Sequence, residues 1–170
     1  MTDVSLFKLS PAKRAEITQG LTPKQTKMVT HWMDLHETIN RGDWDGMDAF
    51  FDTAKMTYAN PNRPDLGTFK QWKSSPQGLY KTFPPCLYRT VKAWGRGDDE
   101  ICVLCHHYGK QTGGPYMGVQ PKGQEINVWW FSWLKFENDK IVHIYSISDV
   151  LSMLMDIGVI DYKQPVDPYK

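Results

Sequence analysis

Two adjacent histidines, His106 and His107, are the residues of this chain that point most directly to proton transfer, because imidazole titrates near neutral pH. They lie in an apolar run with β texture, where alternation sends one inward and the other outward. His106 shares a side with Cys102, Leu104 and Tyr108, whereas His107 shares one with Val103 and Cys105, and the sequence leaves open which side is inner. Tyr58 and Asn60 share a face of a shorter β segment, where a phenol can donate to a substrate oxygen or exchange a proton with it. Arg63 in the loop that follows and Lys81 near the end of a helix could hold a phenolate or other anionic oxygen, the alternative being solvated surface charge. Asp149 stands at the start of a terminal helix, either as an N-cap or as a carboxylate catalyst. Such a set serves general acid–base chemistry.

Other chemistries find little to work with. Cys102-Val-Leu-Cys105 has CxxC spacing, but on a strand residues three apart face opposite ways, so buried thiols are expected rather than a redox or zinc site. Asp43, Asp45, Asp48 and Asp52 read as a solvated face, and no metal is expected. His31 and His36 stand about 140° apart on a helix, which does not make a metal pair. The run Gly109-Lys110-Gln111-Thr112-Gly113-Gly114 suggests a phosphate loop only superficially, because no helix follows to offer free amides. No GxSxG elbow or HExxH helix occurs.

The elements that must position these residues are helices first and strands after. Residues 1–20 form an N-terminal extension with weak periodicity. Thr22-Pro23 starts a helix that carries Met28, Trp32, Leu35, His36 and Ile39 at helical spacing to about Asn40. Residues 43–51 continue as a short second helix, 55–59 as a strand, and a third helix begins at Gly67-Thr68, with a kink or split expected at Ser74-Ser75-Pro76. Strands are expected over 87–94, 101–108, 116–119, 126–136 and 141–147, separated by Gly, Pro and Asp turns, and a helix over 149–157 closes the run. This order is α+β, with one domain over 21–162 and a tail at 163–170.

The chain has 170 residues, 41% hydrophobic and 23% charged, with 20 basic against 19 acidic side chains. A net charge of +1 gives no electrostatic footprint for nucleic acid or an anionic membrane, so a small-molecule partner is favoured. No apolar run approaches the roughly 18 residues of a membrane span, and residues 1–10 lack a signal-peptide core. With three cysteines, an odd number, the expectation is a cytoplasmic protein.

Several short motifs in order and spacing carry a resemblance. They are Ile39-Asn40-Arg41-Gly42, Tyr58-Ala59-Asn60-Pro61, Gly67, Gly118-Val119-Gln120-Pro121, Asn138-Asp139-Lys140-Ile141, and Asp149 through Leu154 to Ile157-Gly158. Over about residues 29–158 the chain resembles the SnoaL-like ester and polyketide cyclase group of the nuclear transport factor 2-like superfamily. The resemblance implies a cone: N-terminal helices packed on a curved, mixed but mainly antiparallel sheet that encloses a pocket, with no cofactor. It implies that an asparagine positioning substrate falls at Asn60. It also implies that the cyclases' acid–base histidine and aspartate fall at Ser132 and Ser146, neither of which is a base without a partner. Aligned this way, the pocket side of the long strand carries Val128, Trp130, Ser132 and Leu134, with Trp130 as a substrate wall and Ser132 and Ser146 as a weakly polar floor.

The expected function is therefore a cofactor-independent carbon–carbon lyase of retro-aldol or deformylating type. Its substrate would be a small aromatic compound such as a lignin-derived diarylpropane, bound in an aromatic-lined pocket. The alternatives are a SnoaL-like cyclase or isomerase in which one of the paired histidines replaces the missing catalysts, and a non-catalytic binding or dimerisation module. Sheet surface and family habit favour a homodimer.

Overall fold

The computed structural model describes residues 4–161; the tail expected at 163–170 lies outside them. Near the N-terminus a 3-10 turn, Val4–Phe7, precedes helix α1, Pro11–Ile17. The α1 side chain of Arg14 reaches Asp34 at 2.7 Å and Glu37 at 2.8 Å on the next helix, so the extension packs on the body. Helix α2, Pro23–Asn40, starts as the Thr22-Pro23 pair dictates. Thr22 Oγ1 accepts from the Gln25 N–H at 3.3 Å while Gln25 Oε1 accepts from the Thr22 N–H at 3.1 Å, a reciprocal cap. Gln25 Nε2 also donates to the Gly97 carbonyl at 2.8 Å, which ties the start of α2 to a distant strand turn.

Residues 43–51 depart from the expected helix and form a 3-10 turn, Gly46–Phe50, because Asp43 Oδ1 accepts from the Gly46 N–H at 2.9 Å and bends the chain tightly. Strand β1 is only Thr57–Ala59. Helix α3, Phe69–Thr82, carries a second reciprocal cap between Thr68 and Gln71. It runs through Pro76 without splitting: the proline removes one backbone bond, and its ring is buried in the inner wall with Trp72.

Four strands complete the sheet: β2 (Leu87–Arg96), β3 (Glu100–Lys110), β4 (Glu125–Glu137) and β5 (Lys140–Ser148). Their order is β1-β5-β4-β3-β2; β1 runs parallel to β5 and the other pairs are antiparallel. The β4–β5 hairpin turns on Asn138 and Asp139, both with positive φ, as a tight primed turn requires. The strand expected at 116–119 is instead a turn with one bridge between Tyr116 and Val119, since Met117 and Gly118 both have positive φ. Gly113 sits so close to the end of α3 that a Cβ would meet the Lys81 carbonyl, so the Gly109–Gly114 run serves backbone approach rather than phosphate. Helix α4, Val150–Asp156, follows. Cys102 and Cys105 fall on opposite faces of β3, and burial pushes the Cys105 thiol up to about 12.

The main core lies between the inner face of the sheet and α2, with Val29, Leu35, Ile101, Val103, Leu134 and Ile141 fully buried. Together, four α-helices and the open five-stranded sheet among the described residues make the expected α+β cone.

Candidate functional site

Where α2 and α3 stand off the inner face of the sheet they leave a cavity of about 110 Å³. Helical spacing brings Trp32, His36 and Ile39 of α2 to one wall, and Trp72, Pro76 and Leu79 of α3 to another. Strand alternation brings Tyr88, His107 and Trp130 to a third. These rings form a box. Trp130 lies 5.7 Å from His36, 5.6 Å from Tyr88 and 5.6 Å from His107 between ring centroids, and Tyr88 lies 5.2 Å from His107.

Both imidazoles of the box are neutral at neutral pH. Burial penalises the charged form and pushes His36 and His107 down to about 3, each aided by a second histidine, His107 for His36 and His106 for His107. His36 Nδ1 lies 3.4 Å from Thr90 Oγ1. His107 Nε2 is buried without a hydrogen-bond partner among the described residues, which leaves it for a ligand. The Tyr88 hydroxyl accepts from the Cys86 thiol at 3.4 Å, and burial pushes its pKa well above the usual phenol range, so it keeps its proton and can donate it in a hydrogen bond but not act as a base.

Across the sheet from His107, with β4 and β5 between, β1 supplies Tyr58. Asn60 Oδ1 accepts from the Asn62 N–H at 2.8 Å, which fixes the amide so that Nδ2 donates to the Tyr58 hydroxyl at 2.9 Å. With its oxygen engaged as an acceptor, the Tyr58 O–H proton is directed away from Asn60. On the floor, the β4–β5 register sets Ser132 opposite Ser146, with their hydroxyls 2.7 Å apart. Both are buried, so each satisfies the other.

The expected site residues divide sharply. Tyr58, His107, Trp130, Ser132 and Ser146 line one cavity, with Asn60 directly behind Tyr58. His106 does not join them. It stands on the outer face, stacked on Trp129 at 4.6 Å and covered by Phe7 at 5.2 Å, because it neighbours His107 on a strand. Arg63 and Lys81 are exposed and line no part of the cavity, and Arg63 is held by a two-pronged pair to Asp65 at 2.7 and 2.9 Å. Asp149 is an N-cap: its Oδ1 accepts from the Ser152 N–H at 3.1 Å, and it is exposed outside the cavity. Sequence reasoning missed His36 and Tyr88. The signal for His36 was its phase with Trp32 and Ile39 on the apolar stripe of α2, where a histidine reads as core.

Comparison with known proteins supplies the family. A family model for SnoaL-like polyketide cyclases matches residues 27–157. No curated protein sequence matches significantly. Solved structures agree in fold. AclR from Streptomyces galilaeus superposes with a TM-score of 0.71 at 17% identity, over 81% of this chain and 99% of that one. IdmH from Streptomyces antibioticus gives 0.67 at 19%, over 77% and 98%. A SnoaL-like polyketide cyclase from Agrobacterium tumefaciens gives 0.60 at 10%, over 74% and 94%. The match across most of the cone, with the helix order, sheet and pocket described above, establishes that the chain belongs to the SnoaL-like polyketide cyclase family of the nuclear transport factor 2-like superfamily.

Proposed function

We propose that this protein is an acid–base enzyme of aldol type, a cyclase or isomerase acting without a cofactor on a small aromatic substrate. The observation that carries the reading is the shared cavity of two neutral imidazoles, His36 and His107, with the phenol of Tyr58 across the sheet. His107 Nε2 takes the proton from the carbon beside a carbonyl. Tyr58, its oxygen already held by Asn60, donates to the enolate or alkoxide oxygen that develops. A developing negative charge also offsets the desolvation that keeps the imidazolium out of the cavity, so the base strengthens as the reaction proceeds. In ring closure the enolate carbon then attacks the carbonyl and the imidazolium passes its proton to the new alkoxide, whereas in isomerisation the imidazolium returns it to a carbon of the enolate; Tyr58 keeps its own proton throughout and only hydrogen-bonds to the oxygen.

A second reading is favoured by Ser132 and Ser146, where the family resemblance implies the cyclases' histidine and aspartate, and whose hydroxyls bond to each other. In that reading the reaction runs in reverse. His107 takes a hydroxyl proton, the neighbouring carbon–carbon bond breaks to release a small aldehyde, and the carbanion is reprotonated, as a lyase acting on a diarylpropane would require. A panel of aromatic aldol and β-hydroxy compounds, assayed for ring closure and for released aldehyde, separates the two. His107→Gln and Tyr58→Phe should each reduce turnover by about 10²–10⁴. Wild-type rates in both variants would remove the assignment.

Exposed Trp94, Trp129, Phe131 and Ile147 on the outer sheet face support a homodimer as the working form. Light scattering should find a dimer in the wild type and a monomer for Phe131→Glu.

A further inference from the structure

We propose that the cavity selects an uncharged aryl group, admitting one ring flanked by hydroxyl or carbonyl oxygen and rejecting the corresponding carboxylate. This inference rests on the function proposed above, whose site it specifies.

The lining carries the argument. None of the cavity residues among those described is a lysine, arginine, aspartate or glutamate. Its two imidazoles, His36 and His107, are held neutral by burial. The two cations expected as an anion clamp stand outside the lining, since Arg63 is paired with Asp65 and Lys81 is exposed. A carboxylate entering here would lose its water and gain no counter-charge, which costs far more than neutral hydrogen bonds return. A neutral oxygen meets several partners instead: the Tyr58 hydroxyl, the remaining donor of the Ser132–Ser146 pair, and His107 Nε2.

Size and wall chemistry set the rest. An enclosed apolar cavity of about 150 Å³ takes a benzene ring, and the 110 Å³ here is bounded by the faces and edges of Trp32, Trp72, Trp130 and Tyr88. That is room for one ring with small adjustments. The remainder of a larger molecule must lie at the rim by Ser75 and Ser148, both only half-buried.

The test compares matched neutral and anionic probes, benzyl alcohol and benzaldehyde against benzoate, at pH 7.5. Binding is read from the fluorescence of the cavity tryptophans and from the shift in thermal midpoint. Both neutral probes should bind at least tenfold more tightly than benzoate. Ser148→Trp, which plugs the rim while leaving the floor intact, should abolish binding with the circular dichroism spectrum unchanged. Equal or tighter binding of benzoate, failure of both neutral probes, or retained binding in a folded Ser148→Trp variant would overturn the proposal. If Ser148→Trp does not fold, Leu79→Trp serves the same purpose from α3. His107→Gln separates this inference from the reaction. It should keep at least a tenfold preference for the neutral probes over benzoate while turnover falls, and undiminished turnover there would sink the mechanism but leave the selectivity standing.

Discussion

Lowering the pH from 7 to 5 should remove a large part of this protein's folding stability, because the fold keeps His36 and His107 neutral. In the unfolded chain each imidazole titrates near its ordinary value of about 6.5, whereas in the cavity each is pushed down to about 3 by burial. Between those values the unfolded state binds more protons than the native one, so stability is fully present above about pH 6.5 and drains away as the pH falls toward 3. At pH 5 the unfolded imidazoles are almost wholly charged and the native ones almost wholly neutral, which costs about 2 kcal/mol per ring relative to pH 7, or about 4 kcal/mol for the pair. His106, held down to about 4 on the outer face, acts in the same direction. Against a total of about 5–15 kcal/mol for a domain, this is a large loss. Urea unfolding at pH 7, 6 and 5 measures it: with a slope of about 2 kcal/mol per molar, the midpoint should drop by about 2 M. The double variant His36→Gln/His107→Gln should show a much flatter profile. Proton NMR of the ring Cε1–H groups provides a second check that does not depend on variants. A titration near pH 6.5 for either ring, or an unchanged urea midpoint from pH 7 to 5, would refute the reasoning.

Three further outcomes are expected. Ser132→Ala or Ser146→Ala should each cost about 1–3 kcal/mol by leaving the surviving hydroxyl buried without a partner, while the double variant should cost less than the sum of the two in thermal or urea unfolding. Asp149→Ala should lower stability by about 1 kcal/mol, the usual value of a helix cap, with turnover unchanged in a steady-state assay. Asn60→Leu should lower kcat in proportion to the loss in Tyr58→Phe, and the double variant should be no worse than Tyr58→Phe alone, since Asn60 acts on the reaction through the phenol.

What could be read from the sequence was whatever is local. Thr22-Pro23 and Gln25 specify the start of α2 through their own side chains, and Asn138-Asp139 specify the hairpin because few other residues accept positive φ. The alternation of Val128, Trp130, Ser132 and Leu134 gave the inner face of β4, once the family resemblance indicated which face was inner. The paired histidines of β3 could not be resolved the same way. Near His106 the outer face is covered by Phe7 and Trp129, so both sides of the strand are buried there and alternation loses its contrast. His36 and Tyr88 were invisible as site residues for a different reason. Periodicity reports that a side chain faces inward, but a pocket exists only where α2, α3 and the sheet fail to touch, and no single segment encodes that gap. The β-bulge between Thr90 and Lys92 compounds this by shifting the register of β2 beside Tyr88.

His106 and His107 are chain neighbours that face opposite ways, so only the thickness of one backbone layer separates the pocket from the outer surface of the sheet. Burial first, and then the Arg89 charge, hold His106 uncharged near neutral pH, and burial does the same for His107. The two rings therefore stand back to back through the sheet as uncharged neighbours, and only below about pH 4, where His106 gains its proton, does the outer face make His107 harder still to protonate.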